Sequence, residues 1–129
     1  HKSIGMAVLL LVVLRLAWRA FNRPPANPEA MAVWERRAAA LSHGLLYALI
    51  LAIPLTGWAY SSAAGYGAEF FGLLDIPDFV PQSEALESVL ARVHYGLGIA
   101  LLVLVSVHVL AALRHHFVLK DDVLKRMLP

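Results

Sequence analysis

The chain has 129 residues, of which 60% are hydrophobic and 16% charged; a soluble domain of this size cannot bury so much apolar surface, so the composition indicates a membrane protein. The net charge of +2 does not indicate nucleic-acid binding, because the basic residues lie at the ends of the apolar stretches rather than on one soluble face. The absence of cysteine excludes disulfides, thiolate metal sites, iron–sulfur clusters and covalent haem attachment through cysteine in this chain.

Hydropathy predicts three membrane spans within one domain that covers residues 1–129. The first span runs from about residue 4 to 21, and the prolines of the NRPPANPEA segment after it cannot continue a helix. The second runs from about 38 to 60 and the third from about 93 to 117. The glycines and prolines of residues 61–91 predict a long loop, in which the SEALE stretch could form a short interfacial helix. The expected fold is an all-α transmembrane helix bundle.

The chain begins at His1, already inside a helical pattern, and shows neither the charged start nor the cleavage site of a signal peptide. We therefore expect that another helix upstream of His1 belongs to the same bundle. The complete fold would then be a four-helix up-down bundle, of which this chain supplies three helices.

The distribution of charge predicts the orientation in the membrane. Residues 61–91 contain five acidic residues and no lysine or arginine. Basic residues instead surround the first connection and the tail (Arg15, Arg19, Arg23, Arg36, Arg37, Arg114, Lys120, Lys125 and Arg126). By the positive-inside rule, the 22–37 connection and the C-terminus are cytoplasmic, and the acidic loop lies outside.

Two histidines of the third span are the strongest indication of function. His94 and His108 are fourteen residues apart, close to four helical turns, so both project from nearly the same face about 21 Å apart along the axis. An uncharged imidazole near each edge of the bilayer suits two haems stacked across it. A lone histidine in a membrane span is often only a hydrogen-bonding contact between helices, but that explanation fits an aligned pair poorly.

The topology sets the depth of the other histidines. His1 and His94 both begin spans on the outer side, so they can face each other as the two axial ligands of one haem iron. His43 lies near the inner level of His108, where it is either a ligand or a helix contact. Small residues follow the outer histidines within about one turn and would give a flat macrocycle room, although they also serve ordinary helix packing (Gly5, Gly96 and Gly98).

Arg15 is fourteen residues from His1, which places it on nearly the same face at the depth of His108. A guanidinium at that depth needs an anion or a route to water. A haem propionate would supply the anion. The alternative is that the side chain extends to the cytoplasmic headgroups.

Four segments carry a resemblance to a known family: HKSIG, RLAWR, LSHGLLYALILAIPLTGW and HYGLGIALLVLVSVHVLAALRHHFVLKDDVLKRMLP. They resemble the bacterial cytochrome b561 family over essentially the whole chain. The resemblance implies a four-helix, multi-pass protein of the bacterial inner membrane that holds two haem b groups and exchanges electrons with ubiquinone. One activity described in the family is superoxide oxidation, with the electrons passed to quinone.

The resemblance also assigns ligands. His1 matches the ligand that opens the family's second helix, and His94 and His108 match the two ligands of its fourth. It therefore pairs His1 with His94 on the outer haem. The second ligand of the haem bound by His108 would come from the family's first helix, upstream of this chain. The alternative is that His43 is this second ligand.

Ligation by two histidines leaves no open position on the iron, so outer-sphere electron transfer is favoured over substrate binding at the metal. We expect ubiquinone at the cytoplasmic face, where Arg114, His115 and His43 could contact a headgroup oxygen or its proton. His115 and His116 lie past the membrane edge, where the alternative is that they are solvated or face lipid.

Two functions remain open. One is an electron-transfer enzyme, a superoxide:ubiquinone oxidoreductase or a related quinone reductase. The other is a haem-bearing membrane-anchor subunit that relays electrons within a larger complex. The outer face offers Lys2 and Arg92 against five acidic residues, which mildly favours a protein redox partner over a small anion.

Overall fold

Three long helices form most of the computed structural model, which describes residues 1–22, 32–121 and 123–124. They are α1 (Lys2–Phe21), α2 (Val33–Ala63) and α3 (Glu84–Arg114), and α3 continues into a π-helical turn at His115–Leu119. All three are long and apolar enough to cross a membrane, with mean hydropathies of 2.0, 1.9 and 2.5. The predicted transmembrane helix bundle is therefore confirmed for the described part of the chain.

The helices extend beyond the predicted spans because polar residues cap them. The Glu35 carboxylate accepts the N–H of Ala32 at 3.2 Å, so α2 begins a full turn before residue 38. At the start of α3 the hydroxyl of Ser83 accepts the N–H of Leu86 at 3.3 Å. The SEALE stretch is therefore the cap and first turn of α3, and the prediction of a separate interfacial helix there is wrong.

The segment between α2 and α3 contains a small antiparallel hairpin that the sequence analysis did not predict. Its strands are β1 (Ala68–Phe70) and β2 (Leu74–Ile76), and the turn between them contains Phe71 and Gly72 with φ of 53° and 69°. The beginning of α1 holds the hairpin: the Lys2 ammonium donates to the Gly67 carbonyl at 2.9 Å, and the Ser3 hydroxyl donates to the Glu69 carbonyl at 3.0 Å. The hairpin therefore lies beside the end of the bundle where α1 begins.

Helix α2 is the central element. It packs against α1 on one side and against α3 on the other, and within the described residues α1 and α3 do not pack on each other. Large apolar side chains face outward, among them Leu14 at 57% and Leu102 at 65% exposure, as expected of helices that face lipid. This arrangement leaves clefts beside α2 where side chains of α1 and α3 can approach each other.

The proline-rich connection after α1 and the basic tail residues Lys125 and Arg126 lie outside the described residues.

Candidate functional site

His1 and His94 approach each other at the end of the bundle that carries the hairpin. Their ring centroids are 5.8 Å apart and the ring planes are nearly perpendicular, at 83°. Nδ1 of His94 lies 3.0 Å from the Ile53 carbonyl and 3.3 Å from the Thr56 hydroxyl. Because a carbonyl can only accept, His94 carries its proton on Nδ1, which leaves the lone pair of Nε2 free. A backbone carbonyl that fixes the tautomer in this way is typical of metal-ligating imidazoles.

Gly57 gives the His94 ring its place against α2. A Cβ at this position would lie 2.8 Å from Cε1 of His94, closer than real Cβ atoms approach, and 3.2 Å from Nδ1, which is also a tight contact. Only glycine therefore lets the ring lie so near the helix backbone. Gly57 is not among the residues predicted from the sequence, although a glycine one helical turn after Ile53, at the level of His94, is a signal that could have found it.

Of the three glycines predicted to make room for a haem, Gly5 lies beside the outer histidine pair, whereas Gly96 and Gly98 do not. Gly5 lines a pocket of about 140 Å³ together with His1, Gly57 and His94. A Cβ on Gly96 or Gly98 would meet nothing within 4 Å, and neither glycine lines this pocket.

His43 and His108 form a second pair near the other end of the bundle. Their ring centroids are 5.2 Å apart, with an angle of 65° between the planes. The Ser42 hydroxyl lies 3.2 Å from Nδ1 of His108, so this imidazole too has a hydrogen-bond partner on one ring nitrogen. The sequence predicts His43 and His108 at similar depth, and the structure brings their rings into contact.

A pocket of about 830 Å³ lies beside this second pair, with α1 forming its other wall. Arg15 and Arg19 line it together with His43 and His108. Arg15 Nε donates to the Tyr47 hydroxyl at 3.0 Å, and the Arg19 guanidinium lies 5.3 Å from the centroid of the same ring. Two cations at a cavity wall suit an anionic group such as a carboxylate.

Tyr47 was missed by the sequence analysis. It lies four residues after His43, so the two side chains share one face of α2, and that spacing is the signal that could have found it.

A separate pocket of about 220 Å³ lies between α2 and α3 at the same end. It brings together the three residues predicted to meet quinone, because His43, Arg114 and His115 all line it. An ion pair of 3.9 Å between Arg114 and Glu35 links the two helices at the rim.

His115 is buried, with 8% of the residue exposed. Its Nδ1 lies 2.6 Å from Oδ2 of Asp121. The expectation that His115 is solvated or faces lipid is therefore wrong, because the chain turns back after Lys120 and places Asp121 against the ring. His116, by contrast, is partly exposed beside Phe117.

Four of the six histidines occur as two pairs. In the described part of the chain, no group of three or more His, Cys, Asp or Glu side chains converges on one point. A bare metal ion needs three or four protein ligands. A haem iron needs only two axial protein ligands, because the porphyrin supplies the others. The donor set therefore fits haem rather than a bare metal ion.

The comparisons with known proteins agree with this donor set. The chain matches the family described as "Prokaryotic cytochrome b561" over residues 1–129. It is 37% identical over 128 residues to cytochrome b561 homolog 2 of Escherichia coli (strain K12), covering 99% of this chain and 68% of that protein. It is 32% identical over 129 residues to cytochrome b561 homolog 1 of the same organism, covering 100% and 73%. It is 33% identical over 132 residues to the probable superoxide oxidase CybB of Yersinia pestis, again covering 100% and 73%.

The chain therefore belongs to the prokaryotic cytochrome b561 family. It is a membrane electron-transfer protein, and membership of the family implies haem b. The membrane-spanning helices and the bacterial family together indicate the inner membrane.

Proposed function

We propose that this protein is a di-haem b cytochrome that transfers electrons between its haems and the ubiquinone pool. The observation that carries the proposal is the occurrence of two histidine pairs, His1 with His94 and His43 with His108, towards opposite ends of one membrane bundle. His94 and His108 are separated by about 21 Å of helical rise, which spans most of a bilayer's hydrocarbon core. One haem at each pair would supply one-electron exchange on each side of the membrane.

The outer haem is assigned to His1 and His94. The Ile53 carbonyl fixes the His94 tautomer, and Gly57 provides the space for its ring. The Thr56 hydroxyl gives the ring edge a second polar neighbour. These contacts hold His94 in place before any ligand arrives, which favours ligation over a transient helix contact.

The inner haem is assigned to His108, and two candidates for its second ligand are kept. His43 is supported by its ring centroid 5.2 Å from that of His108. A histidine outside this chain is supported by the family resemblance. Under either assignment Arg15 and Arg19 are the groups that would bind the propionates, because both line the same 830 Å³ pocket as His43 and His108.

Ubiquinone is assigned to the 220 Å³ pocket between α2 and α3. This pocket is lined mainly by apolar groups, with Arg114, His115 and His43 as the polar groups that could orient a headgroup. It also shares His108 with the inner haem site, so electron transfer would need no long-range step. By the positive-inside argument this end of the bundle is cytoplasmic.

Substitution of the ligands tests the haem assignments. We expect His94→Ala and His108→Ala each to lose one haem per chain, measured by haem-to-protein stoichiometry and by the reduced-minus-oxidised spectrum. His116→Ala is the matched control, because His116 lies in the π-helical continuation of the helix that carries His94 and His108 but belongs to neither histidine pair. Retention of two haems in His94→Ala would contradict the outer site.

Superoxide is one candidate electron donor at the outer face. One relative carries the name probable superoxide oxidase, and Lys2 lines the pocket beside His1 and His94, where it could attract a small anion. The acidic residues of the 61–91 loop instead favour a cationic protein partner, as in a subunit of a larger complex.

The two candidate electron donors, superoxide and a protein partner, can be distinguished by measuring haem reduction under a steady supply of superoxide. The measurement is made on the unchanged protein and on Lys2→Gln. We expect the variant to react more slowly if superoxide is the substrate. If the donor is instead a protein partner, we expect superoxide to reduce the haems of neither the unchanged protein nor Lys2→Gln.

A further inference from the structure

Just after α3, a buried histidine and a half-buried carboxylate form a pair that the haem sites do not use. His115 lines the 220 Å³ pocket between α2 and α3, and its Nδ1 lies 2.6 Å from Oδ2 of Asp121. Such a short distance is typical of hydrogen bonds to an ionised group rather than between two neutral ones. A carboxylate can only accept here, so the Nδ1–H of His115 donates to it.

The backbone is built to hold this pair together. After the π-helical turn at His115–Leu119, Lys120 takes a left-handed conformation with φ of 52°, which reverses the chain direction. The N–H of Asp121 then donates to the His115 carbonyl at 3.2 Å. Oδ1 of Asp121 accepts the N–H of Val123 at 3.1 Å, and Val123 lines the same pocket. Two hydrogen bonds to the carboxylate and one from the backbone N–H therefore hold Asp121 beside the ring, and π-helical turns are frequent at functional sites.

We propose that Asp121 is a positioning residue that orients His115 as the group exchanging a proton with quinone in this pocket. This inference rests on the proposed function, because it needs quinone to bind between α2 and α3. With its proton on Nδ1 directed at Asp121, the neutral ring has Nε2 as a proton acceptor. When His115 is protonated, the carboxylate stabilises the imidazolium.

The proton and electron balance is simple. Oxidation of one ubiquinol releases two electrons and two protons as the O–H bonds of its two hydroxyls break, and haem held by the histidine pairs would accept the electrons one at a time. One proton passes to Nε2 of His115 and the other to water. In the direction of quinone reduction the same groups return both protons. Asp121 lies beyond the membrane-spanning helix that ends at Leu119, and the hydrogen bond donated by His115 holds the pKa of its carboxyl below the usual range.

The other charged or titratable groups around the pocket come from both helices packed against His115 (Glu35 and His43 from α2, His108 and Arg114 from α3). Glu35 and Arg114 form an ion pair with each other. Asp121 is the carboxylate that contacts the His115 ring, so its effect can be separated from theirs.

The test uses the haem-loaded protein and the rate at which ubiquinol reduces its haems across a range of pH. We expect Asp121→Asn to lower this rate at neutral pH at least tenfold, because an amide can donate to Nδ1 and leave the proton on Nε2. The acidic limb of the pH–rate profile should move to lower pH, since the carboxylate charge beside the ring is gone. Asp121→Glu, which keeps the carboxylate, should recover most of the rate. Asp122→Asn removes the same charge one residue later and is the matched control.

The outcomes distinguish this inference from the proposed function. If His115→Ala slows the reaction while Asp121→Asn behaves like the unchanged protein, the role of Asp121 is refuted and the quinone pocket stands. If His115→Ala also leaves the reaction unchanged, the quinone pocket is refuted and this inference with it. An equal loss in Asp121→Asn and Asp122→Asn would overturn the inference as well, because general charge rather than positioning would explain it.

Discussion

Gly57→Ala is the substitution that probes the outer site most sharply without removing a ligand. The new Cβ would lie 2.8 Å from Cε1 of His94, so the ring must retreat by about 0.6 Å to reach an ordinary contact of 3.4 Å. A retreat of this size stretches the 3.0 Å contact between Nδ1 and the Ile53 carbonyl to roughly 3.6 Å, which is no longer a hydrogen bond. The His94 ring then loses the contact that fixes its tautomer.

The loss of haem-binding free energy follows from the broken hydrogen bond and from the crowding around the new Cβ. The lost hydrogen bond is worth about 1 kcal/mol. Because the ring retreats, the crowding that is left lies at the low end of overpacking costs, about 1 kcal/mol. We therefore expect haem affinity at the outer site to fall by about 2 kcal/mol, or roughly 30-fold. The assay is haem content per chain during dilution, with the reduced-minus-oxidised spectrum used to identify which haem is lost.

Gly44→Ala is the matched control, because it lies on the same helix α2 and its Cβ would meet nothing within 4 Å. It shares the general helix-stabilising effect of alanine, about 1 kcal/mol, without any contact to His94. Equal haem retention in Gly57→Ala and Gly44→Ala would refute the placement of an outer haem ligand against Gly57.

Three further predictions concern the inner site, the orientation and the tail. His43→Ala should keep two haems if the second ligand of His108 comes from outside this chain, and should lose the inner haem if His43 is that ligand; haem stoichiometry decides between them. The chain has no cysteine, so single cysteines can be introduced: Asp78→Cys should react with an impermeant thiol reagent from outside the cell, whereas Lys125→Cys should be protected, and the reverse pattern would contradict the charge argument. Because donation from His115 lowers the pKa of Asp121, their contact is fully present above the ordinary Asp value of about 3.9 and is lost only as the pH falls through the lowered value; hydrogen-exchange protection of the Asp121 amide should therefore persist below pH 3.9, and its loss near neutral pH would contradict the pairing.

The membrane fold was predictable because its signals are local. Long apolar runs, and the prolines and charges between them, were sufficient for the three helices, and the fourteen-residue spacing of His94 and His108 placed both imidazoles on one face. His1 could be matched with His94 because depth follows from topology alone. In the structure the two rings lie close together, with their centroids 5.8 Å apart.

What the sequence could not provide depends on contacts between distant segments or on turns. The contact of Gly57 with His94 joins residues of two helices, and hydropathy gives no register between helices. The π-helical turn and the left-handed Lys120 that bury His115 against Asp121 have no strong local signature, since a charged tail ordinarily predicts solvation. The hairpin β1–β2 consists of strands of three residues, too short for a period-two pattern to be recognised.

The central claim is that paired histidines hold b-type haems that exchange electrons with ubiquinone, and its most direct measurement is the anaerobic addition of ubiquinol to the oxidised, purified protein. The account predicts two haems per chain and the appearance of the reduced b-type spectrum as ubiquinol is consumed, with His94→Ala retaining one haem that ubiquinol still reduces. A protein with no haem, or with haems that ubiquinol leaves oxidised, would contradict it.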